Sequence, residues 1–294
     1  MIINTTMFDR QFTFQDSEPM RLDSALAALV HDVSLSKRRI RTAIDDGSVY
    51  VNKKRTRKAG LMLKGGEKLR LVMLDEALVA FEGEQLIWQQ RDLYLIHKRS
   101  GQYAQEALHR SKGCIPDVLA KHLNMHPRQA KFLRPVHRLD RDTSGLMLLC
   151  SDAKKLQHLQ ALWHSHVQKS YLALVSPAPE WEEQRMTFPI GKQKDRLGRF
   201  HVQAAGRACD TEAKVLERRG NVALLQLTPH TGRTHQLRVH LSHIGCPILG
   251  DRRYQGQRHQ RLMLHAHTLR LNKPALPKTI EWIAETEENW QWPG

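Results

Sequence analysis

The chain has 294 residues, of which 40% are apolar and 26% charged; it is long enough to bury a core without a metal or disulfide framework and too ordinary in composition for a wholly disordered chain. Lys and Arg total 46 against 30 acidic residues, giving +16 and a pI of about 10.0, the balance of a protein that meets a polyanion such as a phosphate backbone. Cys114, Cys150, Cys209 and Cys246 form no C-x-x-C pair, which excludes a zinc pattern and a disulfide scaffold alike.

In chain order, the N-terminus lacks the basic-then-apolar layout of a signal peptide, and no apolar run reaches the ~18 residues of a membrane helix. A cytoplasmic protein is therefore expected. Leu22, Leu26, Leu29 and Val30 fall at helical spacing and predict an amphipathic helix. Ser34 or Ser36 caps a second helix running to Asp46, with Gly47 as its stop. Val49–Val51 reads as a short strand before the basic turn Asn52-Lys53-Lys54-Arg55, and Gly65-Gly66 turns the chain into a strand from Lys68 to Met73. Between Ser36 and Lys64 the basic residues are Lys37, Arg38, Arg39, Arg41, Lys53, Lys54, Arg55, Arg57, Lys58 and Lys64, against Asp45 and Asp46 alone. Half of the net charge thus sits in one helix–strand unit, either as a solvated face or as a surface for phosphates, and the second reading is favoured.

From Asp75 to Gln90 the chain is acidic with no basic residue, which reads as a boundary. Beyond it the pattern is strand-rich: Asp92–His97, the apolar run Gly145–Cys150, Tyr171–Val175 and Val222–Leu227. Helices are expected near Ala153–His164 and His235–His243. The expected class is α+β, with 1–78 as a small N-terminal domain (core about 20–75), 79–90 as a linker, and a domain of about 200 residues over 91–294.

Chemistry concentrates in two blocks. In Pro135–Gly145 a charged loop feeds into an apolar strand, placing Asp140 at the rim of the core between Arg138 and Arg141; the carboxylate is either catalytic or one half of a structural ion pair. In Leu227–His240, Thr234 is the expected cap of a helix that carries His235, Arg238 and His240. Arg238 suits a carboxylate partner, as a planar fork donor does. Metal binding is not expected, because His240-x-x-His243 has no neighbouring carboxylate. Tyr171 begins an apolar strand, where an aromatic is usually core; its functional alternative is a ring stacked on a flat ligand. No P-loop, dinucleotide fingerprint or nucleophile elbow occurs.

These blocks resemble the RluA-type pseudouridine synthase family. The resemblance rests on His137-Arg138-Leu139-Asp140-x-x-Thr143-Ser144-Gly145, on Thr231-Gly232-Arg233-Thr234-His235-Gln236-Leu237-Arg238-x-His240, on Pro247–Asp251 with Tyr254, and on Leu262-x-Leu264-His265-Ala266. Arg21–Asn52 is similar to a small S-four-like RNA-binding domain, with Lys53 where glycine is common. Lys98 is followed by Arg99 where relatives usually carry proline, so a differently shaped loop is expected there.

The resemblance implies a mixed, largely antiparallel catalytic sheet and isomerisation of uridine to pseudouridine in RNA, with neither cofactor nor metal. It implies Asp140 as the catalytic aspartate, Tyr171 as the ring stacked on the base and Arg238 as the partner of the aspartate. Substrate contacts would come from Arg138, Thr143, Arg233, His235 and Leu264. RNA-backbone contacts would come from Lys37, Arg38, Arg39, Arg41, Lys53, Lys54 and Arg55. Ribosomal RNA of the large subunit is the expected substrate, with tRNA the alternative, and the protein is expected to act as a monomer. The competing readings are a non-catalytic RNA-binding or ribosome-assembly factor that kept the fold, and a glycosidase using Asp140 and Asp142, which sit poorly for that division of labour.

Overall fold

The computed structural model describes residues 7–30, 35–74, 79–193 and 199–293. The chain divides into two compact units, Met1–Leu78 with Gln105–Lys121, and Val79–Ala104 with His122–Gly294.

In the first unit, strand β1 (Met7–Thr13) precedes helices α1 (Leu22–Leu29) and α2 (Lys37–Asp46) and strands β2 (Val49–Val51), β3 (Lys54–Thr56) and β4 (Lys68–Leu74). The antiparallel sheet runs β1-β4-β2-β3. The helical spacing read from the sequence buries Leu22 and Leu26, and with Ile40 and Ile44 of α2 they pack against Val49, Leu69 and Leu71. Ser36 caps α2 by accepting from the Arg39 amide, and Gly47 ends it in the left-handed region at φ 83°. The other candidate cap, Ser34, lies outside the described residues. The β2–β3 hairpin turns on two residues, Asn52 and Lys53, at φ 50° and 67°. That turn asks for positive φ at both positions, which explains why glycine would suit position 53.

Gln105–Lys121 is bound to this unit by polar contacts. Arg55 donates to Glu106 (2.9 Å) and to the carbonyls of Ala107 and Arg110. Tyr50 donates its hydroxyl to the Leu108 carbonyl at 2.9 Å, and Ser48 donates to that of His109. The Ser111 amide donates to the Asp46 carbonyl. Arg55 is therefore occupied inside its own unit.

The second unit is built on a mixed sheet. Its strands are β5 (Leu86–Gln90), β6 (Leu93–Lys98), β7 (Ser144–Cys150), β8 (Val167–Val175), β9 (Glu183–Met186), β10 (Thr211–Arg219), β11 (Val222–Pro229), β12 (Leu264–Leu271) and β13 (Ile280–Ile283). The order is β9-β10-β11-β8-β12-β7-β6-β5, with β13 on β12. Among the described strands, only β7 and β12 run parallel. β7 is buried at every position, as expected of a continuously apolar strand covered on both faces. Its Leu146 and Leu148 share a core with Leu159 and Trp163 of helix α3 (Ala153–His166) and with Leu95 and Leu269. β5 falls within the stretch that composition marks as a linker. It pairs antiparallel with β6 as an edge strand, Leu86 opposite Ile96 and Trp88 opposite Leu95.

Gly145 joins β7 to β12. It sits at φ 108°, and a Cβ there would lie 2.2 Å from the Ala266 carbonyl oxygen. Only glycine admits the parallel pair at this spacing.

The strained turn gives a test. Lys53→Gly relieves a left-handed lysine at a partly offsetting cost in unfolded-chain entropy, so it should stabilise the protein by about 0.5–1 kcal/mol. Urea unfolding reads this as a higher midpoint at unchanged slope.

Candidate active site

Three segments meet at Asp140. The first is the loop before β7, where the Thr143 amide closes a turn on the Asp140 carbonyl at 3.2 Å. Lys98, at the end of β6, fixes this loop: its Nζ donates to the carbonyls of Arg99, Gln102 and Arg141 at 3.0, 2.8 and 2.7 Å. Ser100 donates to the Asp142 carbonyl, and the Gly101 amide to that of Arg141. Lys98 is fully buried, and burial pushes it down to about 7. Three carbonyls match the three donors of its ammonium form.

The second segment is helix α4 (Gln236–His243), whose Arg238 donates Nη1 to Asp140 Oδ2 at 2.9 Å. The third is Gly250–Tyr254. Asp251 takes Arg238 Nε and Nη2 at 2.7 and 2.8 Å, a bidentate pair that leaves Nη1 free for Asp140. The Asp251 side chain is 0% exposed and that of Asp140 26% exposed. One carboxylate is thus structural; the other opens to a ligand.

His235, immediately before α4, holds a left-handed φ of 57°, strain of the kind kept at functional positions. Its Nδ1 pairs with the Tyr254 hydroxyl at 2.6 Å, and its Nε2 lies 3.7 Å from Asp140 Oδ2. The expected cap, Thr234, does not cap the helix: the preceding position is His235, without a side-chain cap bond. The Gln236 side chain instead accepts from the Arg233 amide and the Thr231 hydroxyl.

The charges decide protonation. Burial alone would raise the Asp140 carboxyl, but the neighbouring His235 and Arg238 charges and the Arg238 hydrogen bond hold it below 3.8. Burial pulls His235 down to about 4, so at neutral pH Arg238 supplies the positive charge. Burial and the Asp140 charge both raise Tyr171, which stays a neutral phenol. Tyr171 is buried on β8 at a register shift between Ser170 and Tyr171, where a bulge re-aims its side chain. Ala266 faces Tyr171 and Leu264 faces Ala173, so Leu264 shares the face of Tyr171.

The remaining expected residues divide. Arg138 is exposed, and its side chain has no hydrogen bond or ion pair among the described residues. Arg233 donates Nε to the Ala208 carbonyl at 3.3 Å. Thr143 is buried within its turn. His240 has both ring nitrogens engaged, by Thr211 and the Phe188 carbonyl. His137 stacks on Trp163 at 4.5 Å and accepts from the Leu148 amide, a structural role. In the first unit Lys37, Arg38, Arg39, Lys53 and Lys54 are exposed, while Arg41 pairs with Asp23 at 2.8 Å.

Two site residues escaped the sequence reading. Asp251 was visible within Pro247–Asp251, but nothing in the spacing joined it to Arg238. Lys98 closes an otherwise apolar strand, and a lysine in that place is a signal for a buried anchor.

Residues 92–243 match the profile of a family described as RNA pseudouridylate synthase. A protein named ribosomal large subunit pseudouridine synthase C from Vibrio vulnificus is 33% identical over 291 residues, covering 91% of this chain and 89% of the relative. The same-named protein of Haemophilus ducreyi is 34% identical over 295 residues, covering 92% and 89%. Among solved structures, human RNA pseudouridylate synthase domain containing 4 is similar with a TM-score of 0.57 at 28% identity, covering 70% of this chain and 89% of that one.

Asp251→Asn removes the charge that balances a buried guanidinium. It should destabilise the protein by about 3–5 kcal/mol, read as a lower urea midpoint.

Proposed function

Because the chain belongs to the RNA pseudouridylate synthase family and converts uridine to pseudouridine in RNA, we propose that its substrate is large-subunit ribosomal RNA and that Asp140 carries the chemistry. The observation that carries this reading is a partly open Asp140 held by Arg238 at 2.9 Å, near enough to the buried Tyr171 for its charge to act on the phenol. The substrate assignment is supported by the names of the relatives, which act on the large ribosomal subunit.

The target uridine must leave its stack to reach such a pocket, at a cost of a few kcal/mol. Arg138, exposed beside Asp140, is suited to filling the vacated space. Phosphate contacts from the exposed basic face of the first unit, as an S-four-like RNA-binding module, offset part of that cost. Stacking on Tyr171 contributes about 1–3 kcal/mol more. The N1–C1′ bond then breaks, the uracil turns while held against Tyr171 and Leu264, and C5 bonds to C1′; the hydrogen lost from C5 is matched by one gained at N1. Asp140 acts on the sugar as nucleophile or as base, and both roles need the carboxylate. As a neutral phenol, Tyr171 serves as a stacking surface and hydrogen-bond donor. The isomerisation conserves every atom and electron, so no co-substrate is required. The four buried free cysteines suit a reducing cytoplasm, where the protein acts as a monomer.

Mapping pseudouridine across total RNA from deletion and parent strains tests the substrate. A site lost from large-subunit ribosomal RNA, restored by the wild-type gene but not by Asp140→Asn, is the expected outcome. Loss confined to tRNA overturns the substrate assignment, and rescue by Asp140→Asn overturns the catalytic one.

The pH profile follows from the shifted carboxyl. Asp140 titrates below the ordinary carboxylate value of 3.8, so its charge is present throughout the neutral range and is lost only as pH falls below that value. Single-turnover rates should therefore show no acid limb from this group between pH 5 and 7, at about two decades of proton concentration. Arg238→Gln removes one of the charges and the hydrogen bond that oppose burial, so the limb of the residual activity should move up by about one pH unit.

A further inference from the structure

Arg252, Arg258, Gln260, Gln291 and Trp292 line an open cavity of about 570 Å³ in the second unit, within the size range of pockets that hold small organic ligands. Arg252 and Arg258 are exposed, and their guanidinium groups make no hydrogen bond or ion pair among the described residues. Other arginines of this unit are neutralised, Arg185 by Asp210, Arg218 by Glu182 and Arg261 by Glu287. Two unbalanced planar donors in one concavity favour an anion with several oxygens. Trp292 adds a flat aromatic surface, anchored by Arg219 at 4.4 Å from the ring centroid and only partly buried. Phosphate donors beside an indole match the two halves of a nucleotide.

The place in the chain matters as much as the composition. Arg252 directly follows Asp251, which fixes Arg238, and Tyr254 two positions on holds His235. Consecutive Cα atoms are about 3.8 Å apart, so a ligand held by Arg252 is anchored on the same short loop that aligns the ion pair. We propose that this cavity is a second nucleotide subsite, taking an RNA nucleotide that flanks the isomerised uridine, with phosphate on Arg252 and Arg258 and base against Trp292. The proposal rests on the reading of this protein as an enzyme acting on RNA. Its effect would be to hold the strand beside the extruded nucleotide and add affinity near the reacting centre.

Binding of the full-length protein to a large-subunit ribosomal RNA transcript, measured across a salt series, tests it. Arg252→Ser with Arg258→Ser should lower the slope of log Kd against log salt by about 1.4 to 1.8, two phosphate contacts' worth. Trp292→Ala should weaken binding about tenfold, and Trp292→Phe should restore most of it. Wild-type slope and Kd in folded variants, checked by circular dichroism, overturn the subsite. Saturable binding of uridine monophosphate that disappears in Trp292→Ala, with RNA affinity unchanged, also overturns it in favour of a free nucleotide. Pseudouridine formation by the wild type in the same transcript tests the substrate reading separately, because the Kd values report on the cavity whether or not that transcript is converted.

Discussion

A guanidinium shared between two carboxylates organises the catalytic unit. Arg238 is almost buried, and an arginine in such a place is tolerated only when its donors are satisfied and its charge is balanced. Asp251 meets that requirement with a two-pronged bond, which fixes the plane of the fork and leaves one Nη1 hydrogen directed at Asp140. The second carboxylate is thus kept charged without being enclosed. A lone buried aspartate would drift toward its protonated form, and an exposed one would lack a fixed direction. The network avoids both outcomes.

That arrangement depends on parts drawn from distant stretches of chain. Asp140 and Arg238 are 98 residues apart, and the sheet brings them together through β7, β8 and β12. Gly145 allows β7 to lie against β12, Lys98 holds the carbonyl of Arg141, and the bulge in β8 sets Tyr171. Arg261 reinforces the same neighbourhood by reaching the Ser144 hydroxyl, Glu287 and Asn289. The loop bearing the reactive carboxylate is therefore clasped through its main chain, and Arg238 holds the carboxylate itself while leaving it partly open.

Much of this was legible in the residues. The apolar run Gly145–Cys150 announced a central strand, helical spacing located α1, a serine cap and a glycine stop located α2, and the two charged blocks contained Asp140 and Arg238. Local signals failed where a long-range partner decided the outcome. Arg55 belongs to a basic run, but its donors meet carbonyls more than fifty residues along the chain. Thr234 has the chemistry of a cap, yet the strained His235 takes the position and Gln236 closes the turn. Leu86–Gln90 follows an acidic stretch, and pairing with β6 made it a strand. Asp251 was visible in the Pro247–Asp251 block, but its pairing with Arg238 exists only in three dimensions.

The segment Gln105–Lys121 has a consequence for how such a protein is inherited. The chain passes between the two units three times, after residues 78, 104 and 121. A gene exchange at a single breakpoint would strand Ser48, Tyr50 and Arg55 without the carbonyls they serve. The N-terminal unit is thus no detachable bead on a string. Its ancestry is tied to the polypeptide that follows, and a scissile nick near residue 78 would yield two pieces still laced together.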